Sequence, residues 1–395
     1  MAVAAPTLSD SIVDNSPESL RPQFQLDPDI VFLNHGSFGA TPKPVFEVYQ
    51  AWQRELEREP VAFVARRQEA LLNAARARIA TYLNADPDSV TFVVNATSGL
   101  NVIARSLPLE PGDEVLTTNL EYGALDLTWE HLCAKAGARY VHQEISLPVT
   151  SRETVVDELW QGVNERTRAI FLSHVTSGTA LILPVEDICA RAREEGILTI
   201  IDGAHAPGQI DLDMEAIGAD IYSGNFHKWL CTPKGSAFLY VRPEHHEWTE
   251  SLTISWGWRG EHTFVSRNQM QATRDVSAFL AVGRAIDFQR EYRWSEVRDR
   301  CHDMLAALRQ ELHARWGTTP ISPDGEGWYR QLAMITLPES APDDLHDRLF
   351  YRHGIEVPLT GHGDIRGVRV SVQGYTSESD LDALRTALDH ELSRG

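Results

Sequence analysis

The side chain with most chemical promise is Lys228, inside the run Ser223–Tyr240, SGNFHKWLCTPKGSAFLY. His227 and Trp229 flank it, a small polar turn (Ser223, Gly224, Asn225) precedes it, and an apolar run (237–241) follows. Burial disfavours an ammonium, so an amine set among bulky groups loses its proton readily and can attack a carbonyl. Lys228 is therefore a candidate Schiff-base lysine. Lysines are more commonly solvated surface groups, so the reading stands only if the chain supplies counterparts.

Four counterparts are present. Asp202 ends the apolar run ILTII and opens DGAHAPGQ. A carboxylate there would keep a pyridine-like nitrogen protonated and its ring electron-withdrawing, the plain alternative being a turn aspartate. His205, three residues on, either meets the same ring or is a turn histidine. Thr97, Ser98 and Gly99 follow VTFVV and open a helix, where free amides and hydroxyls suit a phosphate or merely cap the helix. Tyr122, past EVLTT, is either a stacking ring or core. Phosphate site, ring carboxylate, stacking ring and lysine together describe a site for pyridoxal 5′-phosphate (PLP). Lys228 would then be the base that takes the substrate Cα proton.

The elements that must position these groups alternate. Strands are expected at 90–94, 114–118, 139–145, 168–174 and 197–201, and again in AIGADIYS and SAFLYV. Helices are expected at 100–107, 123–136, 153–162 and 185–195, an order that predicts an α/β fold with a mostly parallel sheet covered on both faces. Ligands of such sheets bind at the carboxyl ends of strands, where the four features fall. Before this region, 45–56 and 62–83 carry helical spacing, and Asn34–Gly39, NHGSFG, reads as a tight turn or a close backbone approach. After it come a helical stretch 276–315, then LAMITL, a helix over 342–352, VRVSV and a last helix over 377–392.

The chain has 395 residues, 43% hydrophobic and 23% charged, with a formal charge of −20. That balance argues against nucleic-acid and anionic-membrane partners. Nothing approaches the roughly 18–20 apolar residues of a membrane span. The first residues carry no basic and apolar regions of signal-peptide type, and read as a short, poorly ordered arm. Four scattered cysteines (Cys133, Cys189, Cys231, Cys301) form no metal-spaced cluster, so no metal is expected and a reducing, cytoplasmic setting is the simple reading.

Taken together, VFLNHGSFGATP, NATSGLNVIARSL, LSHVTSGTALILPV, TIIDGAHAPGQIDLD, FHKWLCTPKGSAFLYV, QATRD and VRVSVQGYTSESDLDAL resemble the aminotransferase class V superfamily of fold-type I PLP enzymes, and within it the isopenicillin N epimerase-like group. The resemblance implies a large domain over 26–260 with a mostly parallel seven-stranded sheet, whose N-terminal segment contributes to a smaller α+β domain over 261–395, after an arm at 1–25. It implies Lys228 as the cofactor lysine, Asp202 at the ring nitrogen, His205 at the ring and Tyr122 stacked on it. Thr97, Ser98, Asn225 and His227 would hold the phosphate. Thr273 would reach a neighbouring subunit's phosphate, making a homodimer with shared sites. Arg369 would take the substrate carboxylate, a bidentate task suited to a guanidinium. Ala272 stands where relatives usually have glycine.

The reaction is less determined. GIEVPLTGHGDIRGVRVS lacks the cysteine that desulfurases of the superfamily carry before their carboxylate arginine. Elimination at Cβ needs a leaving group and little beyond the lysine, whereas epimerisation needs reprotonation on the opposite face. His35, Asn34 and the stretch Trp256–Arg267 are candidate substrate contacts. The favoured expectation is a C–S β-lyase acting on a cysteine S-conjugate of secondary metabolism, such as antibiotic biosynthesis. Epimerisation, transamination, decarboxylation or deamination, and a silent scaffold of the same fold remain open.

Overall fold

Apolar runs bounded by helices build the central sheet of this computed structural model, which describes residues 13–393. Its strands are β1 (Val90–Val93), β2 (Glu114–Thr118), β3 (Arg139–Gln143), β4 (Thr167–Ser173), β5 (Leu198–Asp202), β6 (Ile221–Asn225) and β7 (Ala237–Val241), in the order β1-β7-β6-β5-β4-β2-β3. Six strands share a direction, and β7 alone runs against its neighbours. The fold is thus α/β with a mostly parallel seven-stranded sheet.

Both faces of the sheet are covered, which explains why inner strands such as β4, β5 and β7 read as apolar runs, whereas the edge strand β3 is polar and partly exposed. Successive residues point to opposite sides. Val115, Phe171 and Ile200 pack with Leu100 and Ile103 of the helix Ala96–Ser106. Leu116, Leu172 and Ile201 enter the other, larger core. Six parallel strands bring the loops after β1, β2, β4, β5 and β6 to one edge.

A second, antiparallel sheet of β8 (Leu332–Thr336), β9 (Leu359–His362) and β10 (Ile365–Ser371), ordered β9-β10-β8, places Arg369. Val31–Phe32 pairs in parallel with Ile355–Glu356, so the NHGSFG turn starts from the C-terminal part of the chain.

Several expectations need correction. In its described part, residues 13–25, the expected arm is folded: Pro17–Leu20 is helical, and Leu20 and Phe24 are buried. Residues 1–12 lie outside the described residues. The helix expected over 276–315 is three helices, Ser277–Leu280, Val282–Glu291 and Trp294–Trp316, the last preceded by Arg293 in the left-handed region (φ 46°). The one over 62–83 is interrupted by a wider π turn at Phe63–Arg67. Among the described residues no helix is long and apolar enough to cross a membrane.

Candidate active site

The carboxyl ends of the parallel strands, NHGSFG and β10 enclose a cavity of about 350 Å³. Thr97, Tyr122, Asp202, His205, Asn225, His227, Lys228 and Arg369 all line it, seven gathered by the seven-stranded sheet and Arg369 by β10. Ser98, Asn34, His35 and Thr273 do not line it.

Asp202 closes β5 and is buried, accepting a hydrogen bond from the Ala204 N–H (2.8 Å). Burial pushes its carboxyl up to about 6, although the backbone donor and Lys228 pull the other way. The Lys228 amine lies 3.0 Å from His205 Nε2. Burial lowers it to about 8, opposed by Asp202 and assisted by Arg369. The sequence-based expectation of a desolvated amine thus has a physical counterpart.

At the opening of the helix Ala96–Ser106 two amides are satisfied within the protein. Ala96 N–H donates to Asn225 Oδ1 (2.8 Å) and Ser98 N–H to Asn95 Oδ1 (2.7 Å). Thr97, between them, faces the cavity where a phosphate would meet a helix N-terminus. The Ser98 amide is taken by the Asn95 cap, and Asn225 has only its NH₂ to offer. His227 donates from Nδ1 to the Ser236 carbonyl (3.0 Å), and burial lowers the ring to about 4. Its neutral Nε2 would need a proton to serve a phosphate.

Arg369 is almost fully buried. One terminal nitrogen donates to the Ser177 carbonyl, the other to Ser37 Oγ (2.9 Å), and the buried Nε has no partner among the described residues. A buried guanidinium with an unmet donor fits an incoming carboxylate. Ser37 in turn donates to Asn34 Oδ1 (2.5 Å), and Asn34 donates to Glu356 (2.7 Å). Asn34 therefore stands behind the arginine, not in the cavity.

His35 is also displaced from its expected role. It is fully buried, with Nε2 3.0 Å from the Lys228 carbonyl and Nδ1 3.0 Å from the Tyr375 hydroxyl. A carbonyl can only accept, so Nε2 carries the proton and Tyr375 donates to Nδ1. His35 braces the lysine loop from behind. Thr273 is exposed and away from its own chain's cavity, as is Trp256 at 72% exposure.

Of the two NHGSFG glycines, Gly39 is required by its backbone. Gly39 sits at φ +70°, and a Cβ there would lie 2.0 Å from the His227 carbonyl oxygen. The close approach is to the lysine's own loop. Gly39→Ala is expected to cost about 1–3 kcal/mol and to loosen PLP retention, checked by thermal melts with and without cofactor.

Sequence reasoning did not single out Ser37, Ser177, Asn95 or Glu121. Glu121 accepts from the Ser173 N–H (2.8 Å) and hydroxyl (2.6 Å) and from Thr118 (2.6 Å), and burial raises it to about 8. Ser37 and Ser177 lay in quoted motifs, but only the fold brings them to Arg369.

The aminotransferase class-V family model matches residues 39–384. The chain belongs to this family. It is 35% identical over 393 residues to an isopenicillin N epimerase of Amycolatopsis lactamdurans, covering 95% of this chain and 98% of that protein. It is 28% identical over 408 residues to a probable chloroplastic L-cysteine desulfhydrase of Arabidopsis thaliana, covering 92% and 83%. A solved structure of a C-DES mutant with glycine covalently linked to its PLP cofactor superposes with a TM-score of 0.78 at 21% identity, covering 93% and 98%. That likeness shows the fold. On their chemistry, the residues of the cavity fit PLP: a carboxylate for the ring nitrogen, a helix opening for the phosphate and a buried amine for the aldehyde.

Proposed function

We propose that this class-V chain is a PLP-dependent enzyme that removes the Cα proton of an amino acid and then expels a sulfur leaving group from Cβ. The observation that carries it is the juxtaposition of Lys228, whose amine burial lowers to about 8, with Asp202 and a buried Arg369 around one cavity. When bound, the cofactor supplies an electron sink for the Cα carbanion. Asp202 would hold the ring nitrogen's proton, Thr97 and the neighbouring helix opening would receive the phosphate, and Tyr122 would stack on the ring. Arg369, fixed by Ser37 and Ser177, orients the substrate carboxylate. Lys228 takes the Cα proton. Elimination asks for little beyond this base, which favours a C–S lyase of cysteine S-conjugates.

A second reading, epimerisation, is favoured by the 35% identity to an epimerase. It needs a proton donor on the face opposite Lys228, and the half-exposed Tyr122 hydroxyl is the candidate. Incubation with cysteine S-conjugates in deuterium oxide separates the two. Release of thiol, pyruvate and ammonia is expected; a changed Cα configuration with no thiol overturns the lyase reading.

Exposed apolar side chains at the cavity rim, Phe38 (73%) and Tyr122 (43%), support a homodimer that covers them. In such a dimer Thr273 would serve the partner's phosphate. Sedimentation of the holoenzyme checks the assembly; a monomer at working concentration refutes it.

A further inference from the structure

Trp229 follows the reacting lysine and is fully buried, so its indole N–H must find a partner within the protein. It donates to His205 Nδ1 at 3.3 Å. Indole nitrogen is a donor only, which makes Nδ1 an acceptor. Burial, reinforced by Arg369, holds the His205 ring far below its ordinary range, so it is neutral and its single proton is on Nε2. That N–H faces Lys228 Nζ at 3.0 Å.

An N–H facing an amine is favourable only when the amine has a free lone pair; an ammonium has none to offer. We propose that Trp229 is a positioning residue that locks His205 in the Nε2–H tautomer, so that His205 donates to the neutral amine of Lys228 and holds it ready to react. The inference rests on Lys228 as the reacting amine, the reading given above.

The surroundings of Trp229 suit a fixed donor. Its carbonyl accepts from Gln289 Nε2 (2.8 Å), and its ring packs 5.1 Å from His35, which holds the Lys228 carbonyl. The lysine's own carbonyl and that of the next residue are therefore both braced. Among the charged and titratable groups bearing on the amine are His205, the neighbouring His227, Asp202, which favours the ammonium, and Arg369, which opposes it. Neither Asp202 nor Arg369 selects a histidine tautomer at the amine. The indole does.

The test reads the ring nitrogens directly. In full-length protein labelled with ring-¹⁵N histidine, with His205 assigned by the signals lost in His205→Gln, Nδ1 should be unprotonated and Nε2 protonated. A proton on Nδ1 overturns the proposal, and this measurement needs no Trp229 variant to fold. In Trp229→Phe the released ring can turn its Nε2 lone pair to the ammonium. The pH midpoint of Lys228 acylation in the cofactor-free full chain, read by mass spectrometry, should then rise by about one unit. An unchanged midpoint in a folded variant also overturns it. Borohydride reduction of the holoenzyme followed by peptide mapping keeps the two readings apart. Cofactor found on another lysine removes the function proposed for Lys228, whereas cofactor on Lys228 with an unchanged midpoint removes only the role of Trp229.

Discussion

Lys228→Arg should leave a folded protein that has lost Cα-proton exchange by at least about 10³-fold. Arginine retains the positive charge near Asp202 but stays protonated at any working pH, so it can neither attack a carbonyl nor accept a proton. The native amine can, because burial brings it down to about 8 despite the opposing field of Asp202. Mass-spectrometric deuterium exchange at the substrate Cα checks this, with the unfolding midpoint measured in parallel. Retained exchange in Lys228→Arg would move the base to another side chain.

Much of this site was legible because its signals were local. Asp202 ends an apolar strand, Thr97 opens a helix after another, and Lys228 follows a polar turn. Each property belongs to a few consecutive residues, and alternating strands and helices then bring the strand ends to one edge. His35 misled because its motif is local while its partners are not. A histidine between an asparagine and a glycine reads as a ligand contact, but the hydrogen bonds that decide it come from Lys228 and Tyr375, 193 and 340 residues away. Asn34 misled in the same way, through Ser37 and Glu356. The break at Arg293 was also invisible, since a left-handed residue ahead of a helix leaves no gap in the apolar rhythm.

Asp202→Asn tests the opposite end of the cavity, and its two effects carry opposite signs. Turnover should fall by about 10²–10³-fold, because asparagine cannot balance a proton on the ring nitrogen. Stability without cofactor should move the other way in alkaline solution. Burial raises the Asp202 carboxyl from 3.8 to about 6, so the folded chain binds more protons than the unfolded one between those values. Stability therefore falls as pH rises through that window. Lys228, lowered from 10.5 to about 8, compensates while it remains an ammonium and stops doing so as pH rises past 8. At pH 9 the wild-type chain without cofactor holds a buried carboxylate whose partner is mostly neutral, and Asp202→Asn should melt higher. Added PLP should reverse the order, since a protonated ring restores a positive partner only to the carboxylate. Paired melting curves at pH 9, with and without PLP, read both signs. If the wild type melts higher in both conditions, the buried carboxylate has another partner, and its assignment to the ring nitrogen fails.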